Sequence, residues 1–417
     1  MSEQPTSSPH YAQPRRRLRS WTLALILSLV LVTGWATFLV VAPTPDVIAP
    51  PPVATPAPVA AAPTPANQVR LLAWRNAIEP EVLSAFASDT GIKVVVDGYD
   101  TPEELLAMAD AGAIAQDVVL VPGVGLKALV DRDLLRPLSA SDFVNAGNVD
   151  PATAARTQVY DAGNAHAVPI LWGTLGLGYD AAKVAERLGA DTALDSWAML
   201  FDPANAAKLA DCGIQIIDSP AGVFPVALNY LKLPADSAKV EDTDAAARLW
   251  EGIKPSIAKF ASNDIVDNLA VGTVCMALAS SGDVYQARVK ARAAGLATDI
   301  RYVLPKEGTL VQFTLLAVPR TAANTGNGLR FIDYLLKPEV AARMTNAKGF
   351  ANAVQGSALY VKPEIKSDAG LAPDLASVRA IDEAPAAPTT MALRNRFWQL
   401  INTPASAPAD TAAPAAK

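Results

Sequence analysis

A two-lobed α/β domain behind one transmembrane helix is the architecture this sequence predicts, and three observations predict it. Short β-rich runs alternate with helical patterns from residue 68 to about 402, the rhythm of a sheet with crossover helices. A strand-like stretch from Ala167 to Tyr179 carries Gly173, Gly176 and Gly178, which permit the bends a chain makes in passing between lobes. An uncharged apolar run from Trp21 to Ala42 follows directly on Arg15, Arg16, Arg17 and Arg19.

The apolar run is read as a membrane segment. Its 22 residues span about 33 Å as a helix, enough for a hydrocarbon core of about 30 Å. A cleaved signal peptide has a shorter apolar stretch with small residues directly after it. Here Pro43 follows Ala42, and the small-residue stretch Ala60 to Ala62 lies far beyond. An uncleaved anchor is therefore expected, with residues 1–20 as a cytoplasmic basic tail and everything after residue 42 outside; a removed signal is the alternative. Residues 43–67 are almost wholly Pro, Ala, Val and Thr and predict an extended spacer, and the Ala/Pro-rich residues 403–417 predict a disordered tail.

Composition bounds the rest. At 417 residues, 51% hydrophobic and 18% charged, the chain can bury a large core and is not mainly disordered. A net charge of -6 and a pI near 5.1 argue against nucleic acid, which rewards clustered Lys and Arg.

Within 68–402, Val69 to Ala73 reads as the first strand. Pro80 opens a helix that Gly91 ends, and Ile92 to Val96 is the next strand. Thr101-Pro102-Glu103-Glu104 is a capping box that starts a helix over 102–111. Val118 to Val121 is a continuous apolar strand of the kind buried on both faces of a parallel sheet. Further strands are expected near 213–217, 273–279 and 311–318. Helices are expected near 223–231, 243–260, 282–294 and 327–336.

No catalytic signature is present: no Walker motif, no HExxH, no GxSxG. Gly176-x-Gly178 is too short for a dinucleotide fingerprint. A lone His166 is more often structural than catalytic. The two cysteines, Cys212 and Cys275, suggest one disulfide in an oxidising compartment, although spacing alone does not prove it. As a zinc site they lack partners, since the histidines are only His10 and His166.

Five segments in one order carry a resemblance: AWRNAIEPEVLSAFASDTGIKV at 73–94, VPILWGTLGLGYD at 168–180, SGDVYQA at 281–287, LPKEG at 304–308 and FIDYLLKPEV at 331–340. Together they resemble the putrescine-binding periplasmic proteins of polyamine ABC importers, collinearly over about 69–400. The resemblance implies a type II periplasmic-binding fold with a ligand cleft between lobes; with no catalytic signature, no enzymatic activity, cofactor or metal is expected, and a secreted enzyme is the least supported alternative. The resemblance also implies a polyamine ligand, an ABC permease partner in the bacterial inner membrane, and a disulfide between Cys212 and Cys275. The expected lobes are about 68–171 plus 300–345, and about 172–299 plus 346–402.

A diamine needs carboxylates for its ammonium groups and aromatic walls for its methylenes. By the resemblance, Trp74 matches an aromatic residue after the first strand, Asp283 the principal amine-binding carboxylate, and Phe350 a wall position usually held by tyrosine. Two of them have a plainer reading too: Trp74 as core, and Asp283 as a first-turn acid favoured by the helix dipole. Other positions depart from the family in one direction. Arg75, Asn76 and Ala77 stand where it has serine, acid and tyrosine, while Gly222 and Thr314 replace acids and Ser280 replaces an aromatic. Arg75 reads either as a solvated surface charge or as a cation at the cleft edge that would hold a ligand carboxylate. Import of a polyamine is therefore weighed against a less cationic ligand, such as an amino acid or modified polyamine. A third alternative is a non-transport sensor or partner domain.

Overall fold

A computed structural model describes residues 65–74, 77–189, 192–376, 378–381 and 386–403. The expected cytoplasmic tail, the transmembrane run 21–42, the spacer up to residue 64 and the tail from 404 lie outside the described residues, as do Arg75 and Asn76. Among the described residues, no helix is long and apolar enough to cross a membrane.

The chain enters the first lobe with β1 (Gln68–Trp74), α1 (Pro80–Thr90), β2 (Lys93–Tyr99), α2 (Pro102–Asp110), β3 (Val118–Pro122), α3 (Gly123–Asp131) and α4 (Pro151–Thr157). The long strand β4 (Ala167–Asp180) then carries it into the second lobe: α5 (Ala181–Leu188), α6 (Ala198–Phe201), α7 (Pro203–Leu209), β5 (Ile214–Ile216), α8 (Pro220–Tyr230), α9 (Val240–Ile253), β6 (Lys259–Phe260), α10 (Ile265–Val271), β7 (Met276–Ser280), α11 (Ser281–Ala293) and β8 (Ile300–Val303). It returns through β9 (Thr309–Ala317) to α12 (Thr325–Leu335), α13 (Pro338–Lys348) and β10 (Ala351–Asn352). It finishes with α14 (Pro363–Lys366), β11 (Ala380–Ile381) and α15 (Pro388–Asn402).

Local signals explain the boundaries. Gly91, at φ 72°, caps α1 in the left-handed region that costs a glycine little. Thr101 Oγ1 accepts the N–H of Glu104 at 3.1 Å, while the Glu104 carboxylate takes the N–H of Asp100 at 2.7 Å, one residue ahead of the reciprocal partner a capping box specifies. The helix expected over 243–260 stops at Ile253, because Pro255 enters a 3-10 turn and residues 259–260 join the sheet.

The two lobes repeat one plan. In the first the strand order is β2-β1-β3-β9-β4, and in the second β6-β5-β7-β4-β8. Each has three parallel strands beside one strand of opposite sense that runs in from, or out to, the other lobe. Residues alternate along the first sheet: Leu71, Val118, Leu120 and Leu316 join a core with Phe86 and Phe331, while Leu72, Val119, Val121 and Leu315 join another with Leu105 and Leu126. Burial on both faces is what the unbroken apolar run at 118–121 foretells.

The register places the cleft. Pro122, ending β3, pairs with Thr314 in the middle of β9, and Ser280, ending β7, pairs with Leu175 in the middle of β4. The carboxyl ends of both parallel sets therefore point at the crossover segment Leu171–Leu175, the place where open α/β sheets bind ligands. β8 pairs with the second-lobe half of β4. β10 pairs with Leu171 and Trp172, and Val354 joins the first core.

Cys212 and Cys275 are joined, their Cα atoms 5.4 Å apart, tying the turn before β5 to the residue before β7. The helices α13 and α15 have no counterpart among the sequence expectations. Trp398 of α15 packs edge-on against Trp250 at 5.7 Å between centroids and closes the second core.

Candidate functional site

The second lobe offers the crevice the first turn of α11. Ser280 is its N-cap: the Oγ accepts the N–H of Asp283 at 3.1 Å and donates to Asp283 Oδ2 at 2.7 Å. Asp283 is thus a first-turn acid, as its plainer reading has it. That leaves its electrostatic situation to be explained. Burial pushes its carboxyl above the usual carboxylate range, with the Ser280 hydrogen bonds pulling the other way. Some of its surface still faces solvent, but the surrounding volume is dense protein, and no ion pair reaches it among the described residues.

Phe350 comes to the same turn from the first lobe. Its ring fills the space a side chain at Gly282 or Gly173 would need; a Cβ on Gly173 would sit 2.6 Å from Phe350 Cδ1 and 3.0 Å from Ser281 Oγ. Glycine at these two places is what lets the ring lie against β4 and the start of α11. Alongside, Tyr285 Oη donates to the Asn346 carbonyl at 3.0 Å, so α11 and the end of α13 link the lobes directly.

Trp74 lies half-buried at the carboxyl end of β1, edge-on to Tyr99 at 6.3 Å, at the margin of both first-lobe cores. Phe350 borders one of those cores as well. Phe350 and the turn that carries Asp283 are therefore brought together through Gly282, and Trp74 stands apart at the carboxyl end of β1, against Tyr99. Arg75 and Asn76, which follow Trp74, lie outside the described residues.

The departures gain a physical form. Gly222 is buried in the first turn of α8; a Cβ there would meet Ile217 Cδ1 at 3.1 Å, Leu175 Cδ2 at 3.3 Å and Ser219 Oγ at 3.5 Å, a tight, mainly apolar niche. Ser280 is occupied with the cap. Thr314 is half-buried opposite Leu171 and Pro122. Gly173, Gly282 and Tyr285 were not singled out as site residues from sequence. The signal for the two glycines was the unusual glycine content of 173–178 and the SGD start of α11, which became meaningful only once Phe350 was seen between them.

Two hollows lie elsewhere, one of about 440 Å³ between Leu304, Lys366 and Arg379, and one of about 260 Å³ at the far end of α11. Among the described residues no group of three or more His, Cys, Asp or Glu side chains could hold a metal ion.

Residues 81–373 match the family described as bacterial extracellular solute-binding protein. The chain belongs to that family. The solute-binding protein is 34% identical over 331 residues to the putrescine-binding periplasmic protein SpuD of Pseudomonas aeruginosa, covering 79% of this chain and 90% of that one. It is also 34% identical over 308 residues to the putrescine-binding periplasmic protein PotF of Escherichia coli, covering 74% and 83%. Among solved structures it resembles a putative spermidine/putrescine ABC transporter protein from Listeria monocytogenes, with a TM-score of 0.70 and 25% identity over 80% of this chain and 98% of that one. The two curated relatives are named for putrescine binding and the structural neighbour for spermidine/putrescine ABC transport.

Proposed function

We propose that this solute-binding protein delivers an amine of the polyamine class to an ABC permease, holding one ammonium on Asp283 and the carbon chain against Trp74 and Phe350. The observation that carries the reading is Asp283 itself, a carboxylate pushed toward neutrality by burial, at the crevice, with no cation beside it among the described residues. A ligand ammonium supplies the missing charge and removes the cost of holding it there. Relatives named for putrescine support the ligand class. Residues 21–42 serve as the inner-membrane anchor and 43–67 as the spacer that holds the domain off the bilayer, in the periplasm. A binding domain tethered beside its permease works at high local concentration. Periplasmic release after cleavage is the alternative.

The apolar niche at Gly222 favours a second reading of the ligand. With Asp283 as the carboxylate available, a monocation such as an acylated polyamine suits the crevice better than a free diamine. Calorimetric titration of the full chain in detergent with putrescine, spermidine and N-acetylputrescine separates the two. Saturable putrescine binding lost in Asp283→Ala supports the first, acetylputrescine binding alone supports the second, and no amine binding overturns both.

A further inference from the structure

At the opposite end of α11 from Asp283 lies the polar hollow of about 260 Å³ lined by Arg288, Arg292, Thr298, Asp299, Arg301 and Asp368. Its three guanidinium groups face two carboxylates, leaving positive charge in excess. The carboxylates are committed. Asp299 pairs with Arg301 at 2.8 Å. Asp368 pairs with Arg288, and its other oxygen accepts the N–H groups of Gly370 and Leu371 at 2.9 and 3.2 Å.

The donors are not all committed. Each guanidinium carries five N–H groups; Arg288 places one on the Ile300 carbonyl at 2.7 Å and another on Asp368. The side chain of Arg292, four residues along the same helix face, has no hydrogen bond or ion pair among the described residues. The Thr298 hydroxyl is buried with no hydrogen-bond partner among them, and an orphaned buried hydroxyl is a cost that some occupant of the site normally relieves.

We propose that this hollow binds a small oxyanion, a phosphate or carboxylate group, clamped between Arg288, Arg292 and Arg301, with the Thr298 hydroxyl turning to donate to it. Planar guanidinium forks suit the paired oxygens of such groups; Arg288, 17% exposed, forms the partly buried floor, and Arg292 and Arg301 stand exposed at the rim. A cation is excluded by the same excess of guanidinium. The site is independent of the amine: bound oxyanion would tie the turn after α14, through Asp368 and Arg288, to the end of the helix whose start carries Asp283.

The test is calorimetric titration of the full chain with inorganic phosphate and, separately, with succinate, at an ionic strength held constant with sodium chloride. Saturable binding of one of them is expected, and which one binds identifies the group. Arg292 is exposed and unpaired, so Arg292→Ala folds; it should weaken that anion about tenfold, the loss of one charge-assisted hydrogen bond, and leave amine affinity unchanged. Thr298→Val should weaken it less. No saturable binding of either anion, or binding equally tight in Arg292→Ala, overturns the proposal.

Discussion

Helix α11 ends in two charged places. Its first turn carries Asp283, and its last turns carry Arg288, Lys290 and Arg292. The helix dipole favours both arrangements, acid at the amino end and base at the carboxyl end, so the signs alone say nothing about function. What separates the ends is pairing. Arg288 and its partner Asp368 are only 17% and 22% exposed and answer each other's charge, while Asp283 is answered by a serine hydroxyl. At the far end the Arg288–Asp368 pair is matched, and the guanidinium of Arg292 beside it is left over. The proposed amine site rests on the unmatched, desolvated carboxylate of Asp283.

The contrast breaks most directly at Asp283. Asp283→Ala should weaken amine binding by about 2 to 5 kcal/mol, thirtyfold or more, since truncating one member of a desolvated charge pair carries that penalty. Calorimetry reads it, and an unchanged affinity would place the amine elsewhere. Replacing both Cys212 and Cys275 with Ala should cost about 2 to 4 kcal/mol of stability, read by urea unfolding. The bridge lies at the amino end of β7 and the crevice at its carboxyl end, so amine affinity should survive in the folded fraction; if it falls with stability, the two ends of the strand are coupled. Gly282→Ala should cost about 1 to 3 kcal/mol by driving a methyl into the Phe350 ring. Phe350→Ala in the same chain should recover part of that loss, and strict additivity of the two changes would show that the ring does not occupy the niche.

The fold was largely legible because its signals are local. The 118–121 run, the Gly91 stop and the Thr101 cap need no tertiary context, and the elements they mark lie within a few residues of expectation. The places of β8 and β10 were not legible, because they are short strands whose membership depends on which half of β4 they pair with, and a sequence does not state its pairings. Of the site, the resemblance pointed to Asp283, Phe350 and Trp74. Residue type alone pointed to none of them, since an acid in a helix's first turn and an aromatic at a strand end are common structural features. The niche at Gly222 was visible only as a missing acid, and its apolar walls, Ile217 and Leu175, come from separate segments of the chain.

The smallest expected effect is also the one that tests the premise behind Asp283 without any ligand. Its folded carboxyl titrates above the unfolded value, because burial disfavours the charged form. A group of this kind contributes stability that is fully present below its unfolded pKa and is lost as pH rises through the folded one. Above that raised value the unliganded protein holds a buried charge at a cost. Asp283→Asn should melt higher than the parent there, and the gap should narrow as pH falls toward the carboxyl's raised value. Amine binding should run the other way with pH in the parent: affinity falls on acidification, since the ammonium must displace a proton from Asp283. Melting curves of both proteins between neutral and acid pH read the first effect. Should the asparagine variant melt lower at neutral pH, the Ser280 cap would outweigh desolvation, and Asp283 would be a first-turn acid like any other.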